Sequence, residues 1–123
     1  MKIAVPMEHD EIYQHFGKTK AFRIYDIDKS GRIIGYQDVP TKGQSHGALP
    51  VFLHELDVSV VICGGLGMPM YNALIGFDME VYGGVSGDCN TSVQDFLDGN
   101  LDYDPQAAEK HGNCDSQQKQ MLS

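Results

Sequence analysis

Residues 58–63 read VSVVIC and are followed at once by Gly64 and Gly65. A nearly continuous β-branched run of this length suits a strand covered on both faces, as in the middle of an α/β sheet. Residues 2–5 form a shorter run of the same kind. Residues 21–27 and 32–39 mix apolar and polar side chains and flank Lys29, Ser30 and Gly31, so they read as a hairpin with Ser-Gly in its turn. Residues 80–82, entered from Gly76 and left through Gly83 and Gly84, give a short fifth strand.

Helical periods fill the gaps. Leu49, Phe52, Leu53 and Leu56 fall on one stripe, with Ser45 as its expected N-cap. Met70, Ala73 and Leu74 begin a second stripe that Gly76 stops. Val93, Phe96 and Leu97 form a third, with Asn90 or Thr91 as cap and Gly99 as terminator. The order is strand, hairpin, helix, strand, helix, strand, helix: one α/β domain over residues 1–101. From Asp102 onward the pattern fades, and residues 102–123 read as an acidic, flexible tail.

Chain length supports one core and no more: 123 residues bury about two thirds of the surface the unfolded chain exposes. No stretch approaches the roughly 20 apolar residues that span a bilayer. The opening MKIAVP is punctuated too early for a signal peptide, so the expected location is the cytoplasm and no membrane partner is expected. Cys63, Cys89 and Cys114 are odd in number and widely spaced, which suits reduced thiols better than a disulfide framework. A net charge of −8 with nine basic residues argues against a nucleic-acid partner. The closest basic grouping is Lys18, Lys20 and Arg23.

The strand-to-helix junctions of the second half are rich in glycine: Gly64, Gly65 and Gly67, then Gly83, Gly84 and Gly87. In an open α/β sheet such loops lie at the carboxyl ends of the strands, where ligands bind. Glycines let the backbone approach a ligand, and the following helix offers unpaired N–H groups that favour an anion without Lys or Arg. The plain alternative is that these glycines only turn the chain. The dinucleotide spacing is incomplete and no P-loop lysine follows.

Metal-competent side chains are scattered among these loops. His15, in His-Phe-Gly, is a candidate ligand, against the simpler reading as a surface or capping histidine. Cys89 opens the third helix, where a thiol can be acidified; Cys63 reads as a small buried hydrophobe. Met68 and Met70 flank Pro69 at a spacing that suits Cu(I), although Met70 falls on a core stripe. His111 and Cys114 resemble half of a zinc site without its second pair. His54 projects away from its helix's apolar stripe, while His9 and His46 read as surface residues. No catalytic motif is present, so a non-enzymatic binding role is expected.

In their order and spacing, MKIAVP, His15-Phe16-Gly17 with AFRIYDI, Gly64 to Gly67, Gly76 with MEVYGG, and VQDFLDG resemble the dinitrogenase iron–molybdenum cofactor biosynthesis family, which includes nitrogenase-cofactor carriers and the orange protein. The likeness covers about residues 1–101. It implies a three-layer α/β/α sandwich of ribonuclease H-like type, which here would have a mixed five-stranded sheet. It further implies binding, storage or delivery of an anionic iron-, molybdenum- or copper-containing sulfide cluster, with a donor or acceptor protein as partner. His15 would be the metal ligand, with Gly64, Gly65, Gly67, Gly83, Gly84 and Gly87 forming the cluster wall. His54 and Cys89 rank second. Met70 departs from the family's usual small residue, as does the acidic tail. The same loops would also suit a nucleotide or phosphate-metabolite sensor. A ribonuclease H-like nuclease would need grouped strand carboxylates, and Asp26 and Asp28 are the only strand-end acids.

Overall fold

A computed structural model describes residues 1–105, and the side chain of His46 within that range is not described. Of the tail expected over residues 102–123, the part beyond Pro105, with His111 and Cys114, lies outside the described residues, while Asp104 within it donates its N–H to the Gly83 carbonyl at 2.9 Å. Six strands form one mixed sheet. The main path runs β4 (Ile33–Pro40), β3 (Ala21–Ile27), β1 (Lys2–Glu8), β5 (Val60–Ile62), β6 (Glu80–Tyr82). The sequence reading gave five strands; the sixth, β2 (Glu11–Ile12), pairs antiparallel with the end of β1 through Met7 with Ile12 and Glu8 with Glu11. Two residues are too few to leave a periodic pattern. The tight turn between β1 and β2 puts His9 and Asp10 at φ 56° and 66°, a region non-glycine residues seldom adopt.

β1 is the hinge between two pairing modes. It runs antiparallel to β3, with Ala4 opposite Ile24, and parallel to β5, with Ala4 opposite Val61. β5 and β6 are also parallel, with Val61 opposite Val81. The β3–β4 hairpin turns through Gly31 at φ 85°, and the Asp28 carboxylate accepts from the N–H groups of Ser30 and Arg32. Asp26 forms an ion pair with Lys2. Both strand-end acids therefore have structural work, and the nuclease reading gains no support from them.

Strand alternation divides the core in two. Ala4, Phe22, Ile24 and Val61 face α1 (Leu49–Glu55) and α2 (Met68–Gly76), where they meet Leu49, Leu53, Met70 and Leu74. Ile3, Val5, Tyr25, Val60 and Ile62 face α3 (Cys89–Leu97) and meet Cys89 and Val93. This is the expected three-layer arrangement, with two helices on one face and one on the other. Met70 is a core residue, and Met68 packs against the same cluster. Three-layer burial also explains why VSVVIC lacks alternation: Val60, Val61 and Ile62 are all buried, on opposite faces.

Two expected caps differ. A 3-10 turn at His46–Ala48 precedes α1, whose N-cap is Ala48; Ser45 accepts the Ala48 N–H through its backbone carbonyl instead. The cap of α3 is Asp88 rather than Asn90 or Thr91. Its carboxylate accepts from Thr91 N–H and Oγ1–H at 2.9 and 3.0 Å. Gly99, at φ 79°, follows the end of α3 as expected. No helix among the described residues is long and apolar enough to cross a membrane.

Candidate functional site

The carboxyl ends of β1 and β5 bring the His-Phe-Gly loop against the first glycine loop. Phe16 is 1% exposed and meets Phe22 edge-on at 5.4 Å, so the core anchors the loop at its centre. Around that anchor Phe16–Lys18 forms a 3-10 turn, closed by Thr19, whose hydroxyl donates to the Phe16 carbonyl at 2.6 Å. A short parallel bridge joins His15 to Gly65. The Gly65 N–H donates to the Gln14 carbonyl at 3.0 Å, and the Phe16 N–H donates to the Gly65 carbonyl at 3.3 Å. These bonds hold the exposed His15 imidazole beside the glycine loop, with Tyr13 edge-on at 6.0 Å.

The result is a cleft of about 670 Å³ whose walls include His15, Phe16, Lys18, Gly65, Leu66 and Gly67. The floor is apolar and the rim carries one imidazole and one ammonium group. Gly65 was expected to offer its N–H to a ligand, but that N–H is taken by Gln14. The neighbouring N–H groups of Leu66 and Gly67, just before α2, have no acceptor among the described residues. They are the donors left for an anion at this helix start.

The other expected site residues lie elsewhere. Gly64 is buried beneath the cleft, where a Cβ would overlap the Gln14 side-chain amide. Gly83 belongs to a neighbouring cleft of about 310 Å³. Gly84, at φ 74°, donates to the Gly64 carbonyl at 2.9 Å and lies under Asp104, and its N–H is therefore also unavailable. The Gly87 carbonyl accepts from Ile12 at 2.9 Å, tying the second glycine loop to β2. The start of α3 is no anion site either, since the Asp88 carboxylate and the Asp10 carbonyl already take its N–H groups.

Cys89 is fully buried, and burial pushes its thiol up to about 12 despite the Arg23 charge nearby. The acidified thiol expected at the helix start is not found, because desolvation outweighs the favourable charge. Burial raises Cys63 in the same way, to about 12. His54 stacks on Phe77 at 4.5 Å, near the C-terminal ends of α1 and α2, which lead into the amino ends of β5 and β6. That is the opposite end of the sheet from His15. Among the described residues no group of three or more His, Cys, Asp or Glu side chains is placed to hold a metal ion by itself.

Two further residues shape the site, and only one of them is marked in the sequence. Gln14, exposed in the wall of the cleft, donates its amide to the carbonyls of Ile12 and Val85 at 3.2 and 3.1 Å, joining the loop after β2 to the loop after β6. No local pattern signals this, since Val85 is remote in the chain. Lys18 was visible as part of the small basic grouping. Of that group it lines the cleft, while Arg23 is buried between Asp10 and Asp38 on the α3 face.

Residues 1–99 match the family model described as "Dinitrogenase iron-molybdenum cofactor". No curated protein sequence matches the chain. Among solved structures, PH0822 is 26% identical with TM-score 0.79, covering 85% of this chain and 96% of that one. The apo form of the orange protein from Desulfovibrio gigas is 21% identical with TM-score 0.69, covering 85% and 92%. A protein of Methanocaldococcus jannaschii described as a candidate dinitrogenase is 22% identical with TM-score 0.68, covering 85% and 95%. At these identities the last two likenesses establish the fold.

Proposed function

Since this chain belongs to the dinitrogenase iron–molybdenum cofactor family, matched over residues 1–99, we propose that it holds an anionic metal–sulfur cluster in the cleft beside His15 and passes it to another protein. The observation that carries this reading is the composition of that cleft. One exposed imidazole, Lys18 and the free N–H groups of Leu66 and Gly67 surround an apolar floor. A cluster brings its own sulfide ligands, so a single protein nitrogen can complete its coordination. The lysine and the N–H groups favour its negative charge, and Phe16 and Leu66 fit its soft, weakly hydrated sulfur surface. Gly65 and Gly67 keep the wall low, whereas Gly64, Gly83, Gly84, Gly87, Cys89 and His54 are assigned no contact with the cluster. The role is binding rather than catalysis.

Anaerobic reconstitution with iron, molybdenum or copper and sulfide, followed by visible absorption and metal analysis, tests the reading. His15→Ala should weaken retention about tenfold, corresponding to roughly 1.4 kcal/mol. His54→Ala, at the other end of the sheet, should change nothing. Equal retention by the parent and the His15 variant would sink the assignment. A colourless protein that instead shifts its Leu66 and Gly67 amide resonances with a nucleotide or phosphate ester would favour the sensor reading.

A further inference from the structure

Charge is unevenly spread over the end of the sheet that carries His15. Lys2, Arg23 and Arg32 pair with carboxylates, whereas Lys18, Lys20, Lys29 and Lys42 have no ion pair among the described residues. Lys29 lies in the β3–β4 turn, at the far end of the sheet. Lys18, Lys20 and Lys42 are exposed and gathered beside the cleft. Lys18 stands in its wall, and Lys20 follows after the buried Thr19. Lys42 is brought there by Thr41, whose N–H donates to the Lys20 carbonyl at 2.9 Å and whose hydroxyl donates to the Thr19 carbonyl at 3.0 Å.

The backbone singles out Lys42 as well. The Gln44 N–H donates to the Thr41 carbonyl at 3.1 Å, closing a tight turn with Lys42 and Gly43 at φ 55° and 78°. Gly or Asn adopts the first of those positions with less strain than Lys. What lysine adds there is an ammonium group at the tip of a turn. On the other side of His15 the sign reverses. Glu8 and Glu11 are exposed and line a recess of about 300 Å³ that shares Gln14 and His15 with the cleft. The imidazole therefore stands between a cationic and an anionic flank.

We infer that Lys18, Lys20 and Lys42 form a docking surface for an acidic patch of a partner protein. Carboxylates on a folded surface can meet these lysines and stop short of Glu8 and Glu11. A nucleic acid or an anionic bilayer carries its charge over a wider area and meets both flanks. The chain as a whole, at net −8, repels an acidic partner, so such a partner is steered towards this end. A protein docked there borders the His15 cleft directly. That it exchanges a cluster rests on the functional reading above; the docking surface itself does not.

The probe is an acetylated and amidated hexaglutamate peptide, with hexaglutamine as its uncharged match. Titrated at low salt into the full chain without metal, hexaglutamate should shift the amide resonances of Lys18, Lys20, Lys42 and Gly43 saturably. Hexaglutamine should not. Lys20→Glu and Lys42→Glu should each weaken binding about threefold or more. Lys29→Glu makes the same change of net charge at the far end of the sheet and should leave binding nearly unchanged. Lys42→Gly removes the ammonium and relieves the backbone, so it should weaken binding without loss of stability. An equal loss in the Lys29 variant would reduce the effect to net charge and overturn the inference. Shifts away from these loops, or no saturable shift, would overturn it too. Tighter binding of hexathymidylate or of phosphatidylglycerol vesicles through the same lysines would assign the surface to a nucleic acid or a membrane and overturn the protein-partner reading. Every arm uses metal-free protein, so none of these outcomes depends on whether a cluster binds beside His15.

Discussion

The carbonyl of Gln14 accepts the N–H of Gly65 at 3.0 Å. The same glutamine's side chain fills the space that a Cβ on Gly64 would occupy. One residue therefore sets both the register of the His15 loop and the identity of the first glycine, and it does so from outside every motif.

This arrangement predicts non-additive mutations. Gly64→Ala forces a methyl group into the Gln14 amide, which its bonds to Ile12 and Val85 keep in place. The amide can yield only by giving up those bonds, so the expected cost is about 1 kcal/mol. Gln14→Ala alone should cost about 1 kcal/mol through lost hydrogen bonds. In the double variant the alanine at position 14 leaves room for the one at 64, so the combined loss should fall below the sum. Denaturant melts of the four proteins measure it, and strict additivity would show that the two side chains do not compete for one space.

The Arg23 side chain, 5% exposed, forms a bidentate pair with Asp38 at 2.7 and 3.1 Å. It also reaches Asp10 at 2.8 Å and lies 4.3 Å from the Tyr36 ring centroid. The Asp38 carboxylate first, then Asp10, holds the guanidinium above even its usual high range against the opposing cost of burial. Removing the arginine frees two carboxylates that water can reach, whereas removing both carboxylates strands a buried cation. We expect Arg23→Met to cost about 1–3 kcal/mol, and Asp10→Ala with Asp38→Ala together to cost more. A reversed order in thermal melts would contradict the desolvation argument.

Asp88 titrates below the ordinary carboxylate range because Thr91 donates both its N–H and its hydroxyl to it. Its charged form thus adds stability that is complete above the unfolded-state value of about 3.9 and is lost as pH falls through the depressed native value. Asp88→Asn keeps a side-chain cap but removes the titration. The variant should match the parent near neutrality and show a flatter decline of melting temperature below about pH 4. An unchanged acid slope would mean that other carboxylates, Asp28 among them, dominate the acid limb.

Cys63 and Cys89 are both fully buried, with thiols raised to about 12. Iodoacetamide at mildly alkaline pH should leave both unmodified in the folded protein and label both in denaturant, as read by peptide mass mapping. Rapid native labelling of Cys89 would show that the start of α3 opens.

Much of this fold was legible because its elements leave local marks. The doubly covered β5 shows as an unbroken apolar run, and the β3–β4 hairpin announces itself through Ser30 and Gly31. The caps were less legible. Asp88, Asn90 and Thr91 are all capable caps close together, and only the extended backbone of Asp88, φ −66° and ψ 132°, decides among them. Chemistry without connectivity does not say which candidate site residues lie together. His54, on the polar side of its helix, and His15, in a loop, are both candidate ligands on paper, yet α1 feeds the amino end of β5 while the His15 loop follows the carboxyl end of β1. The burial of Cys89 is not legible either, because position on a helix does not reveal which way a side chain turns. The bonds of Gln14 could not have been foreseen, because their acceptors include a residue from another loop.

The position of β1 at the junction of two pairing modes also bears on how the chain is made. Ile3 is opposite Tyr25 on one side and Val60 on the other. During synthesis the antiparallel meander of β1, β3 and β4 can close as soon as it leaves the ribosome, while the parallel edge of β1 must wait for β5. Pairings between distant segments are slow to form, and an unoccupied strand edge is prone to association. The nascent chain therefore passes through a stage in which its innermost strand has an open side, and the passage of VSVVIC out of the tunnel ends that exposure.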